Sequence, residues 1–319
     1  MNTRLQAGTL YVAGNVNVDL ILGPLAQWPR IGTETVLPHS EMRVGGQAGN
    51  SGLALAALGA RYRIVANMGD DPLGAWLRDS FPQCASGWPR SSAPATLTVG
   101  IVHPGGEWTF FTTAGHLAEF APGHVLDQLP PRAEPGDLIL VCGVFLSPLL
   151  VAGGQRLFET LKQRGFVTAL DVGWPNAGWD SVRLAVESWL PLVDHVLFNE
   201  VETMAMAGCE SLDSAMRWFH ERLPSDATVL VKRGPNGAWA WRRTERITCP
   251  APTVEVIDTI GAGDAFNAGY LLGGATGRDL TASLRMGVIT ASTAISTSPR
   301  RFVPTPDSSA SGAATVDRH

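Results

Sequence analysis

The sequence predicts an α/β fold: a doubly wound, mainly parallel sheet with helices on both faces, carrying a small β lid. Three observations predict it. From Leu138 onward, short β-rich runs at Leu138 to Cys142, Val167 to Val172, Val193 to Phe198 and Thr228 to Val231 alternate with helical segments around 148–164, 179–189 and 200–222. That spacing is the signature of βαβ units and a sheet covered on both sides. Near the N-terminus two more β-rich runs, Leu10 to Gly14 and Val16 to Leu22, lead to a glycine-rich helix start. Between the two regions, Thr96 to His103 and Glu107 to Thr112 read as a hairpin about P-G-G at 104–106, which interrupts the alternation and reads as a flap.

Taken in order, Asn15, Asn17 and Asp19 are spaced two apart, so a strand places them on one face. They are either polar groups aimed into a cleft or an ordinary solvated face. V-G-G-Q-A-G-N at 44–50 then runs into an apolar helix through Leu53, Leu55 and Leu58, stopped by Gly59. Gly45 and Gly46 thus stand just before a helix, with Asn50 in its opening turns; small residues there also serve packing. Arg61 to Asn67 reads as a strand, and Asp70 or Asp71 with Pro72 starts a helix through Trp76 and Leu77. Trp108, Phe110 and Phe111 of the flap could close over a ligand, meet a second copy or pack on their own domain.

Ligands on open α/β sheets bind beyond the carboxyl ends of strands. The residues there are Asp171, then Asn199 with Glu200 and Glu202, then Lys232 with Gly234 and Gly237. After a β-rich run at Thr253 to Ile257 comes D-T-I-G-A-G-D-A-F-N-A-G at 258–269, followed by an apolar helix at Ala265 to Gly274. Gly261 and Gly263 describe a tight turn whose N–H groups open onto a helix N-terminus, which is an anion site. Asp264, in the first turn, could accept a proton from an attacking hydroxyl; a plain loop and helix cap would use the same residue types. Asp279 caps a last helix to about Ser296, and residues 307–319, rich in Ser, Ala and Gly, read as a disordered tail.

Lys and Arg number 24 against 29 acidic residues, a net charge of −5, so there is no electrostatic case for nucleic acid or an anionic membrane as partner. Small molecules are the expected partners. The four cysteines, Cys84, Cys142, Cys209 and Cys249, form no C-x-x-C pair and read as reduced thiols. No run of signal-peptide or membrane-span length is found, and the protein is expected to be soluble and cytoplasmic.

With these pieces assembled, the chain resembles the ribokinase family, the phosphofructokinase-B carbohydrate kinases, over nearly its whole length. D-T-I-G-A-G-D at 258–264 is similar to the family's C-terminal signature, V-G-G-Q-A-G-N at 44–50 to its N-terminal one, and N-V-D at 17–19 to the N-x-D of its first strands. Asn199 to Glu202 resembles its N-x-x-E motif, and K-R-G-P-N-G-A at 232–238 its nucleotide-side glycine turn. No G-x-x-x-x-G-K-[ST] occurs, and Gly14 lacks the G-x-G-x-x-G of a hydride-transfer enzyme.

The resemblance implies a ribokinase-like kinase domain over 1–306, with its lid formed from about 15–45 and 95–115. It implies ATP-dependent phosphorylation of a hydroxymethyl group. Asp264 would be the base, with the backbone of Gly261, Ala262 and Gly263 holding the transferring phosphate. Asn199 and Glu202 would order Mg2+ through water. Asn17, Asp19, Gly45, Gly46 and Asn50 would bind the acceptor, and Lys232, Gly234 and Gly237 would lie along the nucleotide. Some members need a monovalent cation near the C-terminal signature, and many pair two flaps into a homodimer. Two departures bear on the acceptor: V-C-G-V-F-L-S at 141–147 lacks the carboxylate of ribose-specific members, and G-E-W-T-F-F at 106–111 has Trp108 where many sugar-acid and fructose kinases have Arg. A sugar or sugar derivative is the expected acceptor, a nucleoside the alternative, and a non-catalytic sugar-binding sensor a third reading that Asp264 and the G-A-G turn speak against.

Overall fold

The computed structural model describes residues 8–104, 108–243, 245–304 and 315–318. The hairpin tip at 105–107, and most of the tail expected to be disordered, lie outside the described residues. The chain begins with β1 (Leu10–Gly14), β2 (Asn17–Gly23) and β3 (His39–Gly45), then α1 (Gln47–Ala57) and β4 (Tyr62–Val65). A small parallel pair, β5 (Met68–Gly69) and β6 (Arg90–Ser91), brackets α2 (Pro72–Ser80), whose first turn is capped by the Asp71 carboxylate on Gly74 N–H at 2.7 Å. The flap strands are β7 (Leu97–Val102) and β8 (Trp108–Thr112). Next come α3 (Pro122–Asp127), β9 (Leu138–Cys142), α4 (Pro148–Ala152), α5 (Gly154–Gln163), β10 (Val167–Asp171) and α6 (Arg183–Trp189). They are followed by β11 (His195–Asn199), α7 (Glu200–Ala207), α8 (Leu212–His220) and β12 (Thr228–Lys232). Beyond these lie β13 (Ala238–Arg242), β14 (Glu245–Cys249), α9 (Ala262–Ala275), α10 (Leu280–Ile295) and β15 (Thr315–Arg318).

The main sheet has nine strands in the order β15-β14-β13-β12-β11-β10-β9-β1-β4. From β12 to β4 neighbours run parallel; β13, β14 and β15 add on antiparallel. The central strands are apolar at successive positions because both faces are covered. Leu10, Val12, Leu138, Leu140, Leu197 and Leu230 pack with residues of α1, α9 and α10 on one face. Tyr11, Ala13, Ile139, Val141, Val196, Phe198, Val229 and Val231 pack with residues of α5, α6 and α8 on the other. A second sheet, β3-β2-β7-β8, has β2 and β7 parallel and its outer pairs antiparallel. No helix among the described residues is long and apolar enough to cross a membrane.

Several elements differ from the sequence reading, β3 among them, where a loop is expected. Thr253 to Ile257, expected as a strand, forms none: Pro250 and Pro252 lack N–H donors, and the free edge of β14 is already paired with β15. The hairpin β13–β14 was not expected; its Trp239 and Trp241 sit among arginines, with Arg233 stacked 3.8 Å from the Trp239 ring. In the tail, Thr315–Arg318 is a strand rather than irregular chain.

Candidate active site

The carboxyl ends of β10, β11 and β12 open into a cavity of about 710 Å³ that the N-terminus of α9 closes on one side. Asp171, Asn199, Glu202, Lys232, Gly234 and Gly237 line it, together with Gly261 through Asp264. An apolar wall comes from Val254, Val256, Val288, Ala291 and Ile295. The run that failed to pair as a strand therefore supplies part of the cavity.

Gly261 takes φ 74°, the left-handed region, and turns the chain into α9. A Cβ there would stand 3.1 Å from the Asn50 side chain and 3.2 Å from Arg300 Nη1, so both backbone geometry and crowding select glycine. Ala262 N–H donates to Thr259 O at 3.2 Å, which closes the turn. No backbone partner among the described residues is recorded for the N–H groups of Gly261 and Gly263. Asp264, almost buried in the first turn, accepts a hydrogen bond from Asn50 Nδ2 at 3.0 Å. Burial, reinforced by the Asp171 carboxylate, pushes its carboxyl up to about 7, against the pull of Lys232, Asn50 and Arg300.

Lys232 lies beside the turn: a Cβ on Gly263 would be 3.3 Å from its Nζ. It is paired with Asp171 at 2.6 Å, and Asn267 Nδ2 donates to the same carboxylate oxygen at 2.5 Å. Burial alone would lower the Lys232 pKa, but Asp171 and Glu202 outweigh it and raise it. Lys232 is therefore a fixed cation of the turn as well as a wall of the cavity. Asn199 and Glu202 form a reciprocal cap on α7: Asn199 Oδ1 accepts from Glu202 N at 2.8 Å, and a Glu202 carboxylate oxygen accepts from Asn199 N at 2.9 Å. Burial and the Asp171 charge raise the Glu202 pKa.

The expected acceptor residues meet this site through Asn50 rather than lining the cavity. Asn17 Nδ2 donates to Asp19 Oδ1 at 2.8 Å and to Thr98 Oγ1 at 3.2 Å. Burial raises the Asp19 carboxyl to about 6, with Arg43 and Asn17 pulling against it. A Cβ on Gly45 would sit 2.1 Å from that carboxylate, and one on Gly46 2.6 Å from Asn17 Oδ1; the two glycines let α1 begin against these polar groups. By register, Asp19, Ile21, Arg43, Thr98, Gly100, Phe110 and Thr112 share one face of the second sheet.

Sequence reasoning placed Asp171 at a strand exit beside the expected ligand and gave no role to Asn267, Arg43, Asp258 or Arg300. Arg43 Nη1 and Arg300 Nη2 both donate to Asp258 Oδ2, at 2.7 and 2.6 Å. Asp171 and Asp258 had a local signal, a strand exit and the head of the signature; the other three had none.

Three carboxylates, Asp171, Glu202 and Asp264, face the single ammonium of Lys232, and buried Asp171 Oδ1 accepts no hydrogen bond. That donor set suits a divalent cation held through water rather than by direct ligation. Among the described residues no group of three or more His, Cys, Asp or Glu is arranged to hold a metal ion directly.

The chain is similar to known proteins in sequence and in fold. The family model of the pfkB family carbohydrate kinases matches residues 9–306. A fructokinase of Klebsiella pneumoniae is 28% identical over 279 residues, covering 83% of this chain and 84% of the relative. The structure of a ribokinase of Arabidopsis thaliana complexed with ribose and ATP superposes with a TM-score of 0.72 at 20% identity, covering 91% and 93% of the two chains. An adenosine kinase of Sinorhizobium meliloti superposes with a TM-score of 0.74 at 22% identity, covering 93% and 97%.

Proposed function

The chain belongs to the pfkB family of carbohydrate kinases, and we propose that it transfers the γ-phosphoryl group of ATP to a hydroxymethyl group of a sugar or sugar derivative. The observation that carries this is Asp264. It stands in the first turn of α9, beside the N–H groups of Gly261 and Gly263 and held by Asn50, where the cavity meets the acceptor face. ATP would lie along Gly234, Gly237 and the apolar wall, with its terminal phosphate at the turn beside Lys232. Magnesium, held through water by Asn199 and Glu202, would neutralise charge on the phosphates.

A carboxylate does not deprotonate an alcohol outright. Even at a pKa of about 7 Asp264 is a far weaker base than an alkoxide, so the proton moves late, once the phosphoryl group has begun to bond to the hydroxyl oxygen. Asn17, Asp19 and Asn50 would orient the acceptor by its other hydroxyls. Buried polar groups of this kind reject an acceptor that leaves them unpaired.

The test is ATP consumption with magnesium against a panel of sugars, sugar acids and nucleosides. Turnover of one acceptor supports the reading. Thermal stabilisation by an acceptor with no turnover under any condition would mean a sugar-binding sensor instead.

One observation favours a nucleoside or other aromatic acceptor as a second reading. Phe110 is half exposed, its ring 3.1 Å from where a Cβ on Gly100 would be, on the Asp19 face and parallel to Trp108 at 6.0 Å. A base stacked on such a ring gains about 1–3 kcal/mol. Phe110→Ala is then expected to raise the acceptor KM about tenfold to a hundredfold with less change in kcat; an unchanged KM assigns the ring no part in acceptor binding.

The opposite face of the same sheet carries a row of Met42, Leu20, Val99 and Phe111, adjacent by register across all four strands, with Met42 and Phe111 exposed. A row of this kind supports a homodimer formed through the second sheet, which would then also serve as the lid. Sedimentation giving a dimer that Phe111→Asp dissociates is the expected result; a wild-type monomer at micromolar concentration removes the idea. The four cysteines are free, which supports a reducing, cytoplasmic compartment; recovery in a membrane or exported fraction would contradict it.

A further inference from the structure

Asp258 opens the glycine turn, and both of its carboxylate oxygens are committed. Oδ1 accepts from Ile260 N at 2.9 Å, while Oδ2 accepts from Arg43 Nη1 at 2.7 Å and from Arg300 Nη2 at 2.6 Å. All three side chains are about four-fifths withdrawn from solvent, at 17% for Arg43, 20% for Arg300 and 22% for Asp258. The carbonyls nearby are engaged as well: Thr259 O accepts from Ala262 N, and Ile295 O from both Ile257 N and Asp258 N.

A monovalent cation near this signature would need a carboxylate and carbonyl oxygens. The signature holds two carboxylates, and Asp264 is bound to Asn50 at the acceptor side. Asp258 is the remaining one. A metal ion at it would meet two guanidinium charges already bonded to Oδ2, and a carboxylate with three of its roughly four lone-pair sites in use. The residues present do not fit such an ion.

They do supply its charge. Two guanidinium groups are bonded to this one carboxylate, while Asp19, Asp264 and Glu41, the last at 4.0 Å from Arg43, face them without a hydrogen bond. Arg300 is also close to the turn itself, its Nη1 3.2 Å from the Cβ position of Gly261. We propose that Arg300, with Arg43, is the built-in cation of this site: the pair takes the place of a monovalent metal ion, fixes the turn through Asp258, and makes phosphoryl transfer independent of potassium or sodium. Arg300 acts through the turn and is a positioning residue. Arg43 belongs to β3, so the same carboxylate ties the second sheet to the phosphate-binding turn.

The inference rests on the kinase reading, and the experiment separates the two. Initial rates with the acceptor found in the panel are compared in potassium, sodium and choline chloride at equal ionic strength, for the wild type and for Arg300→Gln, which keeps much of the shape and loses the charge. Melting midpoints are taken in the same salts. The wild type is expected to show the same kcat and the same midpoint in all three, because an ion that does not bind cannot stabilise. Arg300→Gln is expected to lose kcat by roughly tenfold to a hundredfold, less than loss of a direct phosphate donor, and to regain part of it with millimolar guanidinium or potassium. A merely structural role would give no such rescue. Activation of the wild type by potassium, or a midpoint raised by potassium over choline, overturns the proposal. Absence of turnover with every acceptor overturns the kinase reading, and the salt dependence of the wild-type midpoint still decides this one.

Discussion

Asp264→Asn is expected to lower kcat by about 10²–10⁴, the usual loss on removing a general base, while ATP and acceptor still bind. The amide oxygen can keep the hydrogen bond from Asn50, so the turn has no reason to move. Two further signs distinguish loss of the base from loss of the fold. In the wild type, burial and Asp171 raise the Asp264 carboxyl to about 7, so kcat/KM should fall as pH drops below neutrality, and this limb should vanish in the variant. The raised pKa also means that folding favours the protonated carboxyl. Its burden on stability is absent below about pH 4, grows as pH rises through the interval to 7, and is complete above it. The variant should therefore be more stable than the wild type at pH 8, by up to a few kcal/mol, and no more stable at pH 4. Near-wild-type turnover in the variant would falsify the proposed mechanism.

Lys232→Met is expected to damage stability and activity together. Asp171 is fully buried and would keep Asn267 as its hydrogen-bond donor but lose its cation. Breaking a buried pair by removing one partner costs about 3–5 kcal/mol, largely the penalty of the charge left behind. The carboxylates of Glu202 and Asp264 would lose the same cation, so the acid limb of kcat/KM should move to higher pH. Urea denaturation reads the first effect and the pH profile the second. Adding Asp171→Asn to Lys232→Met should restore most of the stability and none of the activity. If the single substitution leaves the denaturation midpoint unchanged, Lys232 is more solvated than its contacts imply and the account of the charge cluster is wrong.

Legibility in the sequence followed the distance over which each feature is encoded. The parallel sheet could be read from Leu138 onward because each strand and its helix are neighbours in sequence. The Gly261 turn is also local, because glycine takes a positive φ at little cost. Thr253 to Ile257 was misread because β-branched alternation reports an extended chain, whereas a strand also needs an open edge, and β15 holds that edge. The charge clusters were not legible. Lys232 meets Asp171 across 61 residues, Asn267 meets Asp171 across 96, and Arg43 meets Asp258 across 215. Nothing in a single sequence says which of many distant charges will face each other.

Those separations also bear on when the molecule can work. The hydrogen bond from Asn50 to Asp264 spans 214 residues, and β1 cannot take its place in the sheet until β9 has been made. Contacts this far apart along the chain form late and slowly. On the ribosome, β2 and α1, which carry Asn17, Asp19 and Asn50, emerge first and wait, with Lys232, the glycine turn and Asp264 still unsynthesised. A nascent chain therefore cannot be steadied by its own substrates while it grows, and only the finished polypeptide acquires both the activity and the stabilisation that ligands bring.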